Sequence, residues 1–287
     1  MRWPEDLAGW PHADASRRIA CRPHRWHVQV MGDGPVCLLL HGAGGATQSW
    51  RRLMPLLAPH MTCIAPDLPG QGFTQLGTRW RCGLDAMAED LAALLAQEGW
   101  APDLIVGHSA GGAVALRLAE ILPTAPKAIV GINAALGSFK GISGVLFPVM
   151  AKMLALNPLV PTLFSRFSGG EARVRDLLES TGSVVDAEML QLYTRLVQDR
   201  AHVDGTLQMM AQWKLDSLLS RLPQIKVPTL FLVGEKDGTV PAGTSRDAAA
   251  RMAHARVESL GELGHLVHEE ACEAVAKAIL TFAATHP

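Results

Sequence analysis

Between an apolar run at residues 103–106 and an alanine- and leucine-rich stretch at 112–119 stands Gly107-His108-Ser109-Ala110-Gly111. The run before it reads as a buried strand and the stretch after it as a helix. A serine on a glycine-flanked turn between the two leaves few folds open. The turn is tight enough to strain the serine backbone, and side chains at 107 and 111 would collide with the strand and helix beside them. This is the context that a G-x-S-x-G nucleophile elbow requires. By itself the pattern is weak, because glycine-rich turns before helices are common, so other residues must supply the chemistry.

The rest of the chain repeats the strand-then-helix rhythm. Short β-rich runs fall at 26–31, 36–40, 62–65, 104–106, 128–132, 229–233 and 257–260. Helical periodicity lies between most of them, as at 85–98, where Met87, Leu91, Leu94 and Leu95 recur at steps of three and four. Such alternation predicts an α/β fold, a mainly parallel central sheet with helices on both faces. Gly32-Asp33-Gly34-Pro35 reads as the turn of a hairpin joining 26–31 to 36–40. The rhythm stops between about 135 and 221, where helical patterns at 171–180, 187–200 and 205–219 follow one another without a strand. The expected division is a first part of the core at 1–134, an inserted helical cap at 135–222, and a second part of the core at 223–287.

A chain of 287 residues suits one large domain or a domain with an insertion. With 48% hydrophobic and 18% charged residues it can bury a sizeable core and is not expected to be disordered. A net charge of −1 argues against nucleic acid as a partner. The five cysteines are odd in number and form no C-x-x-C pair, and Cys37 and Cys63 fall in core strands. They read as reduced structural residues of a cytoplasmic protein. The first thirty residues lack the apolar stretch of a secretory signal. The nearest candidate for a membrane span, 142–164, is interrupted by Lys152, Asn157 and three prolines. Metal-ligand spacing is absent, and neither a metal nor a cofactor is expected.

Ser109 needs a base within hydrogen-bond reach and a third group to orient that base. His265, just past the last predicted strand, is the candidate base. Asp237, just past 229–233, is the candidate acid. Each sits at the carboxyl end of a strand, where open α/β sheets place their sites. The oxyanion of a tetrahedral intermediate would take the backbone N–H of Ala110 and a second one from His41-Gly42-Ala43-Gly44-Gly45. Ala43 is the preferred second donor and Gly44 the alternative. Asp67, after the strand at 62–65, competes for the acid role but is less favoured than Asp237. His268 reads as a surface or packing residue, His108 as packing under the elbow, and His41 as orienting its own loop.

Longer stretches narrow the match. They are residues 26–32, 38–45, Ser49-Trp50-Arg51, 106–112, Ile132-Asn133-Ala134-Ala135-Leu136, Met209-Met210-Ala211-Gln212-Trp213 and 264–270. These resemble the magnesium chelatase accessory proteins of bacteriochlorophyll biosynthesis, an α/β-hydrolase family of phototrophic bacteria. The resemblance covers nearly the whole chain, cap included. It implies the α/β-hydrolase fold, a role in photosynthesis at or near magnesium insertion into protoporphyrin IX, a tetrapyrrole as small-molecule substrate, and contact with magnesium chelatase. It supplies no reaction, and the triad carries over by motif position alone. Ser109, Asp237 and His265 show no departure, while Gln71 stands at a loop position where hydrolases often have His.

Two readings of the cap stay open. Phe147, Met150, Met153, Met210 and Trp213, with Met189 and Met209, would line an apolar pocket for a flat macrocycle, or they form the cap's own small core. Lys140, Lys152 and Arg166 could meet anionic lipid, which would make the protein peripheral to the photosynthetic membrane. Two functional readings follow as well. One is ester hydrolysis through an acyl-serine. The other is a non-catalytic accessory protein that holds a porphyrin or docks on the chelatase. A generic esterase is a weaker third. Dehalogenase and epoxide-hydrolase chemistry is disfavoured, because those relatives use a carboxylate where this chain has Ser109.

Overall fold

Val36-Cys37-Leu38-Leu39-Leu40 has no polar face to offer water, and the chain buries both of its faces. Leu38 and Leu40 point into one apolar cluster, Cys37 and Leu39 into another on the opposite side. A strand of this kind belongs in the middle of a sheet. In the computed structural model, which describes residues 1–137, 160–167 and 169–286, that is its position. The strands are β1 (Ser16–Cys21), β2 (His24–Met31), β3 (Val36–Leu40), β4 (Thr62–Pro66), β5 (Leu104–His108), β6 (Ala128–Ile132), β7 (Thr229–Val233) and β8 (Ala255–Ser259). They form one sheet in the order β1-β2-β4-β3-β5-β6-β7-β8. From β4 to β8 all neighbours are parallel.

The hairpin expected at Gly32–Pro35 does not form. β2 pairs antiparallel with β4 on one side and with β1 on the other, so the chain leaves β2, passes over β4 and enters the sheet as β3. The true hairpin is β1–β2. β1 escaped the sequence reading because Ser-Arg-Arg-Ile-Ala-Cys at a sheet edge buries only Ile19 and Cys21.

Helices α1 (Met54–Leu57), α2 (Leu84–Glu98) and α3 (Ala110–Ile121) belong to the first part of the chain. α2 and α3 cover one face of the sheet through Leu91, Leu94, Val114 and Leu118. The other face is covered by Trp50, by Leu57 of α1 and by Val275, Ile279 and Phe282 from the C-terminal helix. The five cysteines are free and buried.

Between β6 and β7 the described residues contain helices and no strand. These are α4 (Val160–Phe167), α5 (Glu171–Glu179), α6 (Ala187–Gln198), α7 (Arg200–Gln212) and α8 (Asp216–Arg221). Two carboxylates punctuate them. Asp186 accepts the Met189 N–H at 2.8 Å and Asp199 the His202 N–H at 2.8 Å, each satisfying a donor at a helix start. Asp199 therefore ends the pattern read over 187–200 and starts a second helix. Val174, Leu178, Met189, Tyr193 and Leu196 pack with Trp10, Ala46, Phe73 and Leu266, a third cluster that fixes these helices on the loops of the core. No helix among the described residues is long and apolar enough to cross a membrane. α9 (Ala242–Ala249), α10 (Val267–Glu270) and α11 (Cys272–Ala284) complete the chain.

Candidate active site

Ser109 occupies the junction of β5 and α3 with φ 51° and ψ −117°. That is a conformation most side chains avoid, held here by close packing. A Cβ at Gly111 would lie 2.1 Å from the Leu40 carbonyl oxygen, so α3 can approach β3 this closely only with glycine there. The Ser109 N–H donates to Ile132 O at 2.9 Å, and Ser109 O accepts from Gly112 and Ala135. The elbow is thus pinned to the end of β6 as well as to its own helix.

Asp237 and His265 stand in loops after β7 and β8, and His265 Nδ1 donates to Asp237 Oδ2 at 2.7 Å. The other oxygen of Asp237, Oδ1, accepts from the N–H groups of Thr239 and Val240, both at 2.7 Å. Both residues are buried to within 7% exposure, which keeps the pair dry. The ring of His108, next to the serine, lies 4.7 Å from that of His265, and its Nε2 donates to His265 O at 2.9 Å. His108 therefore packs under the elbow, as expected. Among the described residues no hydrogen bond joins Ser109 Oγ to His265 Nε2, and such bonds often tighten only once substrate is bound.

Asn133 had passed unremarked as a site residue. It follows β6 at φ 44° and is buried. Its Oδ1 accepts the Gly234 N–H at 2.9 Å, and its Nδ2 donates to Gly264 O at 3.0 Å and to His265 O at 2.9 Å. One side chain thereby ties the strand end that carries Asp237 to the loop that carries His265. The segment after α5 braces the same loops. Thr181 O accepts from the N–H groups of His265 and Gly238, and Ser183 Oγ accepts from Leu266 N at 2.9 Å.

The loop 41–45 is fixed on every side but one. His41 Nε2 accepts the Leu68 N–H at 2.9 Å, which leaves Nδ1 to donate to Gly42 O at 2.7 Å. Gly44 N–H donates to Gln71 Oε1 at 2.7 Å. That use of its N–H sets Gly44 aside as an oxyanion candidate, and Ala43, exposed at the tip, is the candidate that is left. Ala110, the first residue of α3, has its N–H free of the helix ladder.

Asp67 does not compete as the acid. It is wholly buried, and its oxygens are used by His27 Nδ1 at 2.6 Å, Thr47 N at 2.7 Å and Phe73 N at 2.8 Å. It organises the loops beneath the site. His268 is no surface residue either: it is fully buried, its Nε2 lies 2.7 Å from Ser49 Oγ, and its ring packs on Trp50 and His108. Beside it, Glu269 accepts from Ser49 Oγ at 2.9 Å, from Tyr193 OH at 2.8 Å and from Arg51 Nη1. Of the proposed pocket residues, Trp213 is half-buried against the main core cluster and Met210 is half-buried on α7. Phe147, Met150 and Met153 lie outside the described residues, as do Lys140, Lys152 and the side chain of Arg166.

Three buried histidines set an acid limit on this arrangement. Burial, with the neighbouring rings, holds His108 well below its ordinary value; burial takes His202 down to about 4 and His268 to about 3. The unfolded chain protonates them near 6.5. Below that pH the unfolded state binds protons that the native state refuses, so stability is complete above about 6.5 and falls as pH drops towards 4. Each group contributes up to about 1.4 kcal/mol per pH unit. The urea midpoint is expected to drop steeply between pH 6.5 and 4.5, and a midpoint that stays level there would contradict three neutral buried rings.

Comparison with known proteins gives a consistent outcome. The model of the α/β hydrolase fold family matches residues 35–271. The chain is 44% identical to the magnesium-chelatase 30 kDa subunit of Rhodobacter capsulatus, over 95% of this chain and 96% of that protein. It is 28% identical to the pimeloyl-[acyl-carrier protein] methyl ester esterase of Xanthomonas oryzae pv. oryzae, over 91% of this chain and all of the esterase. Among solved structures, a thermophilic esterase from Thermogutta terrifontis superposes with a TM-score of 0.74 at 20% identity, covering 95% of this chain and 98% of the esterase. At that identity the likeness speaks for the fold alone.

Proposed function

We propose, for a chain that belongs to the α/β-hydrolase family and shares 44% identity with a magnesium-chelatase 30 kDa subunit, an ester hydrolase working through an acyl-serine. The observation that carries this reading is the buried Asp237–His265 hydrogen bond at the same end of the sheet as the strained serine that follows β5. In this reading Ser109 Oγ attacks the ester carbonyl carbon as His265 Nε2 takes its proton. Asp237 keeps the proton on Nδ1 and stabilises the imidazolium that forms. The N–H groups of Ala110 and Ala43 receive the negative oxygen. Collapse of the intermediate expels the alcohol, which leaves with the proton from His265. Water, deprotonated by the same ring, then attacks the acyl-serine, and the carboxylate product leaves Ser109 restored.

In this proposal the chemistry acts at or near magnesium insertion into protoporphyrin IX during bacteriochlorophyll synthesis, on a side-chain ester of a tetrapyrrole, and the 44% identity to a magnesium-chelatase 30 kDa subunit supports that pathway. Labelling with a fluorophosphonate, read by intact mass on the wild type and Ser109→Ala, tests the chemical half. One adduct on the wild type and none on the variant is the expected result. An unlabelled, folded wild type would remove the hydrolase reading.

The relative's name as a magnesium-chelatase subunit favours a second reading, in which the same scaffold binds a porphyrin or the chelatase without turning anything over. In that case Ser109→Ala would still support pigment synthesis in cells lacking the native protein.

A further inference from the structure

Gly44 is gripped from two directions, and one of the grips comes from the helices inserted between β6 and β7. Gln71 is fully buried, accepts the Gly44 N–H through Oε1, and directs Nε2 at Met209 Sδ, 3.3 Å away on α7. His202, also on α7 and buried, donates from Nε2 to Gly44 O at 3.2 Å. The tautomer is fixed by the opposite side of the ring, where Nδ1 accepts the Gly72 N–H at 3.0 Å. A ring that accepts at Nδ1 and donates at Nε2 must be neutral, and its lowered basicity keeps it so.

The helix also sits unusually close. A Cβ on Gly205 would lie 2.1 Å from Gly70 O, and one on Gly70 would lie 2.9 Å from Gly205 Cα. Backbone meets backbone at this crossing, so the position of α7 is transmitted to residues 70–72 and through Gln71 to Gly44. With Gly42 O accepting from His41 and from Gly45 N, the groups on both sides of Ala43 are occupied. The peptide that carries the Ala43 N–H is thus held through Gly42 O from within the loop, and the two peptides that follow it are held from outside, through Gly44 N–H by Gln71 and Gly44 O by His202.

We infer that α7 completes the oxyanion hole: Gln71 and His202 are positioning residues that hold Gly44 so that the Ala43 N–H points at the developing oxyanion, and the hole is fully formed only while α7 is seated. The inference rests on the hydrolase reading. It couples access to chemistry, since moving these helices aside to admit substrate loosens the donor, and their return restores it.

The test compares His202→Phe and Gln71→Leu with His202→Gln, which can still donate to Gly44 O. A misdirected donor weakens the transition state and not the bound ester. With a p-nitrophenyl ester, kcat is expected to fall on the order of 10–100-fold in the first two variants with KM within about twofold, and His202→Gln to recover part of it. A rise in KM at unchanged kcat would overturn the assignment. Hydrogen exchange of residues 42–45 gives a readout independent of turnover. It is expected to quicken in both variants while exchange across Leu104–His108 stays slow, and unchanged exchange at 42–45 overturns the clamp. Failure of the wild type to hydrolyse esters or take fluorophosphonate would defeat the hydrolase reading and the catalytic part of this inference, while the exchange result still decides whether α7 holds the loop.

Discussion

Ser109→Ala is expected to hydrolyse an activated ester on the order of 10⁶-fold more slowly than the wild type, with the loss in kcat. The size follows from what the side chain does in the proposed mechanism. Without Oγ no acyl-enzyme forms and the His265–Asp237 pair has no nucleophile to deprotonate, while the oxyanion donors still face the carbonyl oxygen. Some acceleration over water should survive, about 10³–10⁴-fold, because donors and binding remain in place. The change itself is structurally mild. Ser109 is only partly buried, and the backbone bonds that pin the elbow use its N–H and C=O. A folded variant with wild-type turnover would show that the pair at the end of the sheet serves some other nucleophile or none.

Glu269→Ala is expected to cost about 3–5 kcal/mol of stability, with little direct effect on the reacting groups. Glu269 is buried beside Arg51, which is itself 5% exposed. Burial lifts the Glu269 carboxyl above the ordinary range, and Arg51, Tyr193 and Ser49 oppose that lift by bonding the ionised form. Removing the carboxylate leaves a buried guanidinium that cannot lose its proton with only the exposed Glu188, 3.1 Å from Nε, as counter-charge, and also leaves the hydroxyls of Tyr193 and Ser49 without their acceptor. The melting temperature should fall by roughly 10 °C. Replacing both partners, as in Arg51→Met with Glu269→Leu, should recover at least half of the loss, because no charge is then left alone in the interior. Chemical unfolding of the three proteins decides it. A single variant costing under about 1 kcal/mol would mean that water reaches Arg51.

The three candidate residues were legible because each announces itself locally. A strand, a turn and one polar residue are enough to nominate Ser109, Asp237 and His265, and the sheet does the rest by bringing strand ends to one side. The residues that hold the site in place had no such signal. Asn133 reaches across 132 positions to His265, and His202 across 158 to Gly44. Their roles depend on which backbone groups face them, and no spacing rule encodes that. Gln71 looked like an incidental departure at a loop position, yet it is the acceptor that withdraws Gly44 from the oxyanion choice. His268 could be read as surface or packing, and Glu269 carried no reading of its own, because charge and imidazole are usually external. They are buried because Arg51, Ser49 and Tyr193 arrive from distant segments to satisfy them. The misplaced hairpin has a simpler cause. Gly-Asp-Gly-Pro is a strong turn signal, but an all-apolar strand after it needs two neighbours and two covered faces, and a hairpin at the sheet edge provides neither.

The bracing of the Asp237 and His265 loops by Thr181 and Ser183 bears on how proteins of this family diversify. Lids in this fold look like interchangeable parts, free to be swapped so that an old catalytic core meets a new substrate. Here the inserted segment and the core share a joint, with Gly182 packed against both Lys236 and Gly264. A transplanted lid without residues 181–183, or without the glycine that meets Gly70, would arrive with the wrong fittings. Change of specificity in this lineage is therefore expected to have come by substitution within the lid, with its anchoring points inherited together with the core.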